Sequence, residues 1–311
     1  MIKKWGAIFI LMLSINALKA GDHTLGLSVG PSFMQSDLGG GLAIGKPGIV
    51  DVDPEAIRFT LSFHYRYFVN DFFAVKANLM FAMLHGDDKY TKGVPPPNDT
   101  DNWFRELRNL NFTTYLGEAS VMGEVNLKRY QTTAYGRREM NSWTPYIGLG
   151  AGFFYFEPFS TYQGVTYNLR KLGTEGQNIT GKKYSPFQLD LLASAGIRYN
   201  INGVVSLSAE VIYHHTFTDY LDDVSTSYPS IDVYNQMSPT AQALSKRNLE
   251  PGAPYPDPRW DFIIWDQYGG GQQRGDPKDK DHFFNVQFSF AVNIGKRTKD
   301  QNCYYRNGGR F

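Results

Sequence analysis

Residues 284–294 read Phe284-Asn285-Val286-Gln287-Phe288-Ser289-Phe290-Ala291-Val292-Asn293-Ile294. Along its whole length this stretch alternates between Phe, Val or Ile and a polar or small residue. A β-strand points successive side chains to opposite faces, so this stretch predicts a strand with one apolar and one polar face. In a soluble sandwich the apolar face would be core. In a membrane barrel it would face lipid, and the polar face would line the lumen.

The same alternation recurs in seven other segments, at 25–33, 57–67, 73–83, 113–127, 146–156, 189–199 and 205–213. Eight is an even number of strands, as a closed outer-membrane barrel requires. The connections are either short, as at 69–71 and 200–203, or long, as at 35–56, 86–112, 159–185 and 220–281. We therefore predict an all-β fold, an eight-stranded antiparallel transmembrane β-barrel with long extracellular loops and periplasmic short turns.

The first 20 residues have the features of an export signal. Lys3 and Lys4 form a positive region, residues 7–13 form an apolar core, and Ala20 offers a small residue for cleavage. That core is too short to cross a bilayer as a helix. We predict a signal peptide over 1–20, a barrel over 21–295 in outer-membrane lipid, and a periplasmic C-terminal tail over 296–311. The net charge of +1 argues against a nucleic-acid-binding protein.

The polar faces of the predicted strands carry equal numbers of basic and acidic side chains. The basic ones are Arg58, Arg66, Lys76 and Arg198, and the acidic ones are Glu118, Glu124, Asp190 and Glu210. Buried charges are costly unless they are paired, so we predict a mutually neutralising network in the lumen. An eight-stranded barrel has room only for side chains. Gly148, Gly150 and Gly152 on one inward face leave space for the long ones, so we expect a plugged lumen rather than a porin channel.

A possible catalytic group lies at the end of the seventh strand, where His214 and His215 precede Asp219, Asp222 and Asp223. Histidines and carboxylates at a barrel rim can activate water on a substrate, and acids can bind calcium. No nucleophile motif or regular calcium-ligand spacing accompanies them. We expect solvated rim acids and a non-enzymatic protein with no cofactor, no metal and no small-molecule substrate, with a rim hydrolase as the least favoured alternative.

Three strings in the long loops are more distinctive than barrel alternation. They are 169–177, 216–226 and 274–281, and they include Gly173, Thr174, Glu175, Gly176, Gln177, Asp219, Tyr220, Asp222 and Asp223. In this order, over about residues 113–295, the chain resembles the PorG family, an outer-membrane component of the type IX secretion system of Bacteroidetes. The first two outer loops do not match that family, and the fourth is unusually long. A paralogue that keeps the barrel but not the secretion role therefore stays open, and a small structural or adhesive outer-membrane barrel is the other alternative.

The resemblance implies a non-enzymatic role beside the periplasmic ring formed by the lipoprotein PorK and the protein PorN. Two surfaces of this chain could reach such a ring. One is the connection 128–143, which carries Arg129, Arg137 and Arg138, and the other is the tail, which carries Cys303, Tyr304 and Tyr305. Aromatic and Arg side chains often anchor interfaces, and a lone cysteine could pair with a partner's cysteine. The alternatives are a solvated loop at 128–143 and a frayed tail with a free thiol. We expect the three outer strings to form a cap over the barrel mouth.

Overall fold

The computed structural model describes residues 22–38, 54–90, 108–130, 142–201, 204–247 and 270–294. Several of the predictions therefore lie outside the described residues. These are the signal peptide at 1–20, the tail at 296–311 with Cys303, Tyr304 and Tyr305, and the two arginines Arg137 and Arg138.

Nine strands form a single antiparallel sheet. They are β1 (Asp22–Gln35), β2 (Arg58–Phe68), β3 (Phe73–Asp87), β4 (Asn111–Asn126), β5 (Ser142–Tyr162), β6 (Val165–Asn168), β7 (Phe187–Asn200), β8 (Val205–Thr216) and β9 (His282–Asn293). Each barrel strand pairs with its neighbours in chain order, β5 pairs with β7, and β9 pairs with β1 to close the ring. Eight strands therefore form the barrel, as the sequence predicted, and β6 lies outside it.

Side chains alternate between a buried inner face and an exposed outer face. In β4, buried residues alternate with exposed ones from Thr114 to Asn126. The outer face carries large apolar side chains with high exposure, such as Leu79 at 60% and Leu149 at 73%. A water-soluble protein rarely exposes such a continuous apolar belt, whereas lipid would cover it. The polar face of each strand is inside, so the sandwich alternative does not apply.

The two ends of the barrel differ in their connections. At the short-turn end, the chain turns through residues 69–72 between β2 and β3, four residues separate β7 from β8 in the sequence, and 15 residues separate β4 from β5. At the long-loop end, the connections contain two 3₁₀ turns (Pro54–Ala56 and Asp88–Tyr90) and the helices α1 (Leu169–Leu172), α2 (Gln177–Thr180), α3 (Ile231–Tyr234) and α4 (Pro239–Ser245). None of the helices in the described part of the chain is long and apolar enough to cross a membrane.

One strand was missed by the sequence interpretation, which expected a loop over 159–185. Strand β5 continues to Tyr162 and folds back onto β6 through Gln163 and Gly164. Their φ angles are 50° and 78°, the positive values that two-residue hairpin turns of type I′ require. The Gln-Gly pair was the local signal for this hairpin, but β6 is only four residues long and shows too little alternation.

Candidate functional site

The half of the lumen nearer the short-turn end holds a group of five charged residues, the lumen ion network, which consists of Arg66, Lys76, Glu124, Arg198 and Glu210. Arg66 donates two hydrogen bonds to Glu124, from Nε at 2.7 Å and from Nη2 at 3.0 Å. Arg198 Nη2 donates to the same carboxylate at 2.9 Å, and Lys76 Nζ donates to Glu210 at 2.7 Å. All five are buried, so each charge depends on its partners rather than on water.

Aromatic rings cover this network from the short-turn end. The guanidinium carbon of Arg198 lies 4.3 Å from the ring centroid of Tyr146. It also lies 5.1 Å from the ring centroid of Tyr130 and 5.2 Å from that of Phe68. Phe68 and Tyr130 stack on each other with centroids 4.4 Å apart. Cation–π contacts strengthen when they are removed from water. These rings therefore hold Arg198 in place and fill the lumen at this level.

Arg58 does not belong to the lumen network, so the prediction for this residue is wrong. It has the inward parity of β2 but is the first residue of that strand, at the long-loop end. Its Nη1 donates to the carbonyl oxygens of Glu55 and Ile57, at 2.9 and 2.8 Å, in a partly exposed position. A long side chain at a strand end can reach the adjoining turn and avoid the cost of burial.

Glu118, Asp190 and His214 form a second buried group, the lumen triad, closer to the long-loop end. His214 Nδ1 lies 2.9 Å from Asp190 Oδ2 and 2.9 Å from Glu118 Oε2. The sequence analysis placed Glu118 and Asp190 on inward faces but did not bring the three residues together. A Cβ at Gly152 would overlap Asp190 Oδ1 and lie 3.2 Å from Glu118 Cδ. The glycine on β5 therefore provides the space that the two carboxylates occupy.

The structure does not support the rim hydrolase hypothesis for His214. Its imidazole is fully buried and stacks on Phe283, with ring centroids 4.1 Å apart and an interplanar angle of 11°. Above it lies an apolar layer of buried side chains, Met80, Ala82, Leu84, Leu116, Phe154, Phe156, Leu221 and Phe283. A rim base must reach a substrate from solvent, and this layer separates His214 from the outer surface.

The three family strings meet in a cap over the long-loop end, and Glu175 is the residue that joins them. Its carboxylate accepts hydrogen bonds from the backbone N–H of Ser225 at 2.9 Å and of Thr226 at 3.2 Å. It also accepts from Arg274 Nη1 at 3.1 Å. Glu175 and Arg274 are both buried, so the charge pair ties string 169–177 to strings 216–226 and 274–281 away from water.

Glycines shape the first of these strings. Gly173 ends α1 with a φ of 68°, and Gly176 precedes α2 with a φ of 77°. Other residues rarely adopt these left-handed angles without cost. The two turns place Thr174 and Glu175 against the second string, where Thr174 Oγ1 donates to Asp223 Oδ2 at 2.5 Å. Gln177 accepts from the Glu175 N–H at 2.9 Å and stiffens the same turn.

The acids of the second string are buried, so the expectation of solvated rim acids is wrong. Asp222 accepts from the N–H groups of Val224 and Leu38, at 2.8 and 3.2 Å. Asp223 accepts from Tyr184 Oη at 2.6 Å. Neither oxygen of the buried Asp219 has a hydrogen bond that meets ordinary geometric criteria. Burial raises the pKa of Asp219 and of Asp223 to about 6, because the charged carboxylates lose water.

Asp281, the last residue of the third string, and Arg108, which the sequence analysis did not select, complete the cap. The N–H of Leu221 donates to Asp281 Oδ2 at 2.7 Å. Arg108 donates to both oxygens of Asp88 at 2.8 Å, to the carbonyl of Arg274 at 2.8 Å and to that of Asp37 at 2.7 Å. Arg108 thereby joins the first, second and fourth long connections. Nothing local in the sequence signals these contacts, because the partners are far apart along the chain.

At the short-turn end, the structure describes only the beginning of the predicted partner-binding connection. Arg129 forms an ion pair with Asp71, and both side chains are largely exposed. Tyr130 turns inward against Phe68 and is buried. Of the residues predicted to contact a partner, Arg129 is thus placed on an accessible surface, beside the barrel rim.

Comparisons with known proteins identify one matching family and several similar solved structures. The model of the outer membrane protein beta-barrel domain family matches residues 6–237. Among solved structures, the chain is similar to Ail, the attachment invasion locus protein of Yersinia pestis, at 10% identity over 89% of this chain and 100% of that one, with a TM-score of 0.36. Neisserial surface protein A matches at 9% identity over 88% and 97%, with a TM-score of 0.37. OprG from Pseudomonas aeruginosa matches at 12% identity over 88% and 94%, with a TM-score of 0.34. No curated protein matches the chain.

Proposed function

The chain belongs to the outer membrane protein β-barrel domain family, and from this premise we propose a specific role for it within the outer membrane. It is a non-enzymatic component of a type IX protein secretion machine, and it links a periplasmic ring of the PorK and PorN type to the outer membrane. Membership of this family gives the location, an outer-membrane β-barrel in contact with lipid.

The observation that carries the proposal is the meeting of three family strings at one carboxylate. Glu175 lies 50 residues from Ser225 and 99 from Arg274 along the chain, yet its carboxylate bonds to both. Loops of an ordinary barrel need not contact each other, because the strands alone hold the barrel together. The strings that resemble the PorG family thus act as one structural unit, and this favours reading them as a single family feature.

The filled lumen favours a scaffold over a channel. The lumen ion network and the rings over Arg198 occupy the interior at one level, and the lumen triad and the apolar layer occupy it at the next. A protein of this kind acts through its surfaces. The surfaces that can meet a periplasmic ring are the rim beside Asp71 and Arg129, which is exposed, and the tail over 296–311.

The experiment is a replacement of the native gene by variants that carry an affinity tag. The first variant lacks residues 296–311, the second combines that deletion with Arg129→Ala, and the matched control is Lys182→Ala, an exposed charge in the cap. Heat-modifiable migration on gels checks that each barrel folds. We expect the tail deletion to reduce co-purified ring proteins and secreted cargo, and the control to leave both unchanged.

Two results would overturn the proposal. Ring proteins that co-purify equally with wild type and with the combined variant would remove the periplasmic contact. Normal secretion after deletion of the whole gene would remove the role altogether.

A structural or adhesive barrel is the second candidate, and exposed apolar residues on the cap favour it. Ile179 and Ile231 are 41% and 42% exposed on the outer loops. Exposed apolar side chains on an ordered surface often mark contact sites for other molecules. This candidate predicts that Ile179→Ser with Ile231→Ser reduces attachment of cells to surfaces while secretion stays intact. The tail deletion would then have no effect on either.

A further inference from the structure

The lumen triad of Glu118, Asp190 and His214 has an unusual balance of charge and hydrogen bonds. Each residue offers one ligand atom, and these three atoms lie within 4.8 Å of one another. All three side chains are fully buried. Buried carboxylates need a cation or a set of donors to compensate for lost water.

The basic residues of the lumen are engaged elsewhere. Arg66, Lys76 and Arg198 form their ion pairs with Glu124 and Glu210. Over the residues that the structure describes, His214 is the only basic side chain in ion-pair contact with Glu118 or Asp190. Two carboxylates therefore share a single imidazole.

One imidazole nitrogen cannot satisfy both carboxylates. Nδ1 carries at most one proton, and its hydrogen bond is directed to Asp190 Oδ2 at 2.9 Å. Both oxygens of Glu118 and the Oδ1 of Asp190 are buried without a hydrogen bond of acceptable geometry. Glu118 is therefore a fully buried carboxylate without a hydrogen bond of acceptable geometry, and its Oε2 lies 2.9 Å from Nδ1, where a metal ion would engage it.

We propose that Glu118, Asp190 and His214 bind one divalent transition-metal ion of Zn²⁺-like chemistry inside the barrel. A neutral imidazole and two carboxylates carry two negative charges, which a dication neutralises. One nitrogen and two carboxylate oxygens are ligands that Zn²⁺ accepts, and they leave one of four positions for water. Calcium and magnesium prefer six or more oxygens, so three ligands of which one is nitrogen disfavour them.

The geometry needs only a small adjustment to accept this ion. Tetrahedral Zn²⁺ with bonds of about 2.0–2.2 Å holds its ligand atoms roughly 3.4 Å apart. Nδ1 now lies 2.9 Å from each carboxylate oxygen, so each pair must open by about 0.5 Å. The absence of a side chain at Gly152, beside both carboxylates, allows that movement.

Asn285 supplies the outer contact that a metal-bound histidine needs. When Nδ1 binds a metal, Nε2 carries the proton and requires an acceptor that fixes the ring. The Asn285 carboxamide lies 3.0 Å from Nε2, and its Oδ1 has no donor in the present orientation. A half-turn of the carboxamide directs Oδ1 to the Nε2 proton, and Phe283 stacks on the ring to hold its plane.

The position of the site determines when the ion can enter. The apolar layer closes the lumen above the triad, and the lumen ion network closes it below. An ion therefore binds before or during barrel closure and then exchanges slowly. This inference does not depend on the proposed role in secretion.

The test is to refold the full chain into detergent micelles with a small excess of ZnCl₂, to desalt it, and to measure bound metal by mass spectrometry. Co²⁺ is a second probe, because its visible absorption reports ligand type and number. We expect one ion for each wild-type barrel, retained after EDTA is added to the folded protein. EDTA present before folding should prevent binding. Glu118→Gln and Asp190→Asn should each reduce bound metal at least about tenfold.

Glu210→Gln is the matched control, because it removes a buried lumen carboxylate outside the triad. It should bind metal as the wild type does. The proposal is overturned if the refolded wild type holds no Zn²⁺ and gives no Co²⁺ spectrum, a result that does not depend on whether any variant folds. It is also overturned if the doubly substituted Glu118→Gln, Asp190→Asn barrel retains the ion. The triad would then be an ion pair between a protonated histidine and two acids.

Discussion

Replacement of Glu124 by glutamine tests whether the lumen ion network stabilises the barrel. Glu124 accepts three charged hydrogen bonds, at 2.7 and 3.0 Å from Arg66 and at 2.9 Å from Arg198, and Lys76 Nζ lies 3.8 Å away. The variant leaves three buried cations, and among the described residues Glu210 is the carboxylate that still forms an ion pair with the group. The amide of the new side chain also directs N–H groups toward cations.

The expected loss of unfolding free energy is large for a single substitution. Breaking a buried ion pair by removing one partner costs about 3–5 kcal/mol, because the remaining charge loses compensation. The sum of three charged hydrogen bonds at about 1.5–3 kcal/mol each would be higher, but such terms are not additive within one network. We therefore expect a loss of about 3–5 kcal/mol for Glu124→Gln. Arg66→Met combined with Glu124→Leu should cost less than the sum of the two single changes.

The assay is reversible folding into lipid vesicles across a urea series, with folded fraction read from gel migration and from tryptophan fluorescence, to which Trp143 on the outer face contributes. The linear dependence of free energy on urea gives the value in water. Asp71→Asn is the control, because its pair with Arg129 is exposed and worth at most about 1 kcal/mol. If Glu124→Gln loses no more than this control at an unchanged urea slope, the network does not stabilise the barrel and the reasoning fails.

Three further predictions concern the barrel wall and the cap. Gly152→Ala should destabilise the barrel by about 1–3 kcal/mol in the same urea assay, because the new Cβ overlaps Asp190. Gly117→Ala should have little effect, because a Cβ at that position meets no atom within 4 Å. Equal losses for the two variants would contradict the packing argument. Glu175→Gln should leave the barrel folded but expose the cap to trypsin at Arg274, its buried ion-pair partner. Glu55→Gln, a substitution at an exposed acid, is the control. Unchanged cleavage of the Glu175 variant would show that Glu175 does not hold the strings together. Asp219 and Asp223 have folded pKa values of about 6, above the ordinary 3.8. The stability that their protonated forms give to the folded cap is therefore complete at low pH and is lost as pH rises through 6. Proteolysis of the cap, measured with a protease active at both about pH 7.5 and about pH 5, should therefore be slower at the lower pH. Asp223 alone should slow it by about tenfold. Asp223→Asn should reduce this dependence on pH.

Alternation along the chain was enough to predict the barrel and most of its interior. Strand parity alone placed Arg66, Lys76, Glu124, Arg198 and Glu210 on inward faces, and the structure finds all five buried together. Parity gives the direction of a side chain but not its depth. Arg58 shares the inward parity yet lies at a strand end, where its side chain bonds to the neighbouring turn.

The cap was less predictable, because its contacts are not local. Asp219, Asp222 and Asp223 look like solvated loop acids when only their neighbours in sequence are considered. They are buried because Leu38, Tyr184 and other distant residues donate hydrogen bonds to them or cover them. Periodicity carries no information on pairs such as Glu175 and Arg274, which are 99 residues apart. These strings carry the resemblance to a family, but only contacts in the folded protein join them.

The closure of the lumen limits how the barrel can act. For a solute to pass, both the cap held by Glu175 and the ion pairs of Glu124 must open. If opening the buried pairs costs about 3–5 kcal/mol, the open state is populated for less than about 1% of the time. A signal or a cargo that passed through the lumen would depend on that rare state. The barrel wall instead connects the cap rigidly to the rim at Asp71 and Arg129. A role that uses both ends of the molecule is therefore better served by the protein acting as a fixed link across the membrane than as a conduit through it.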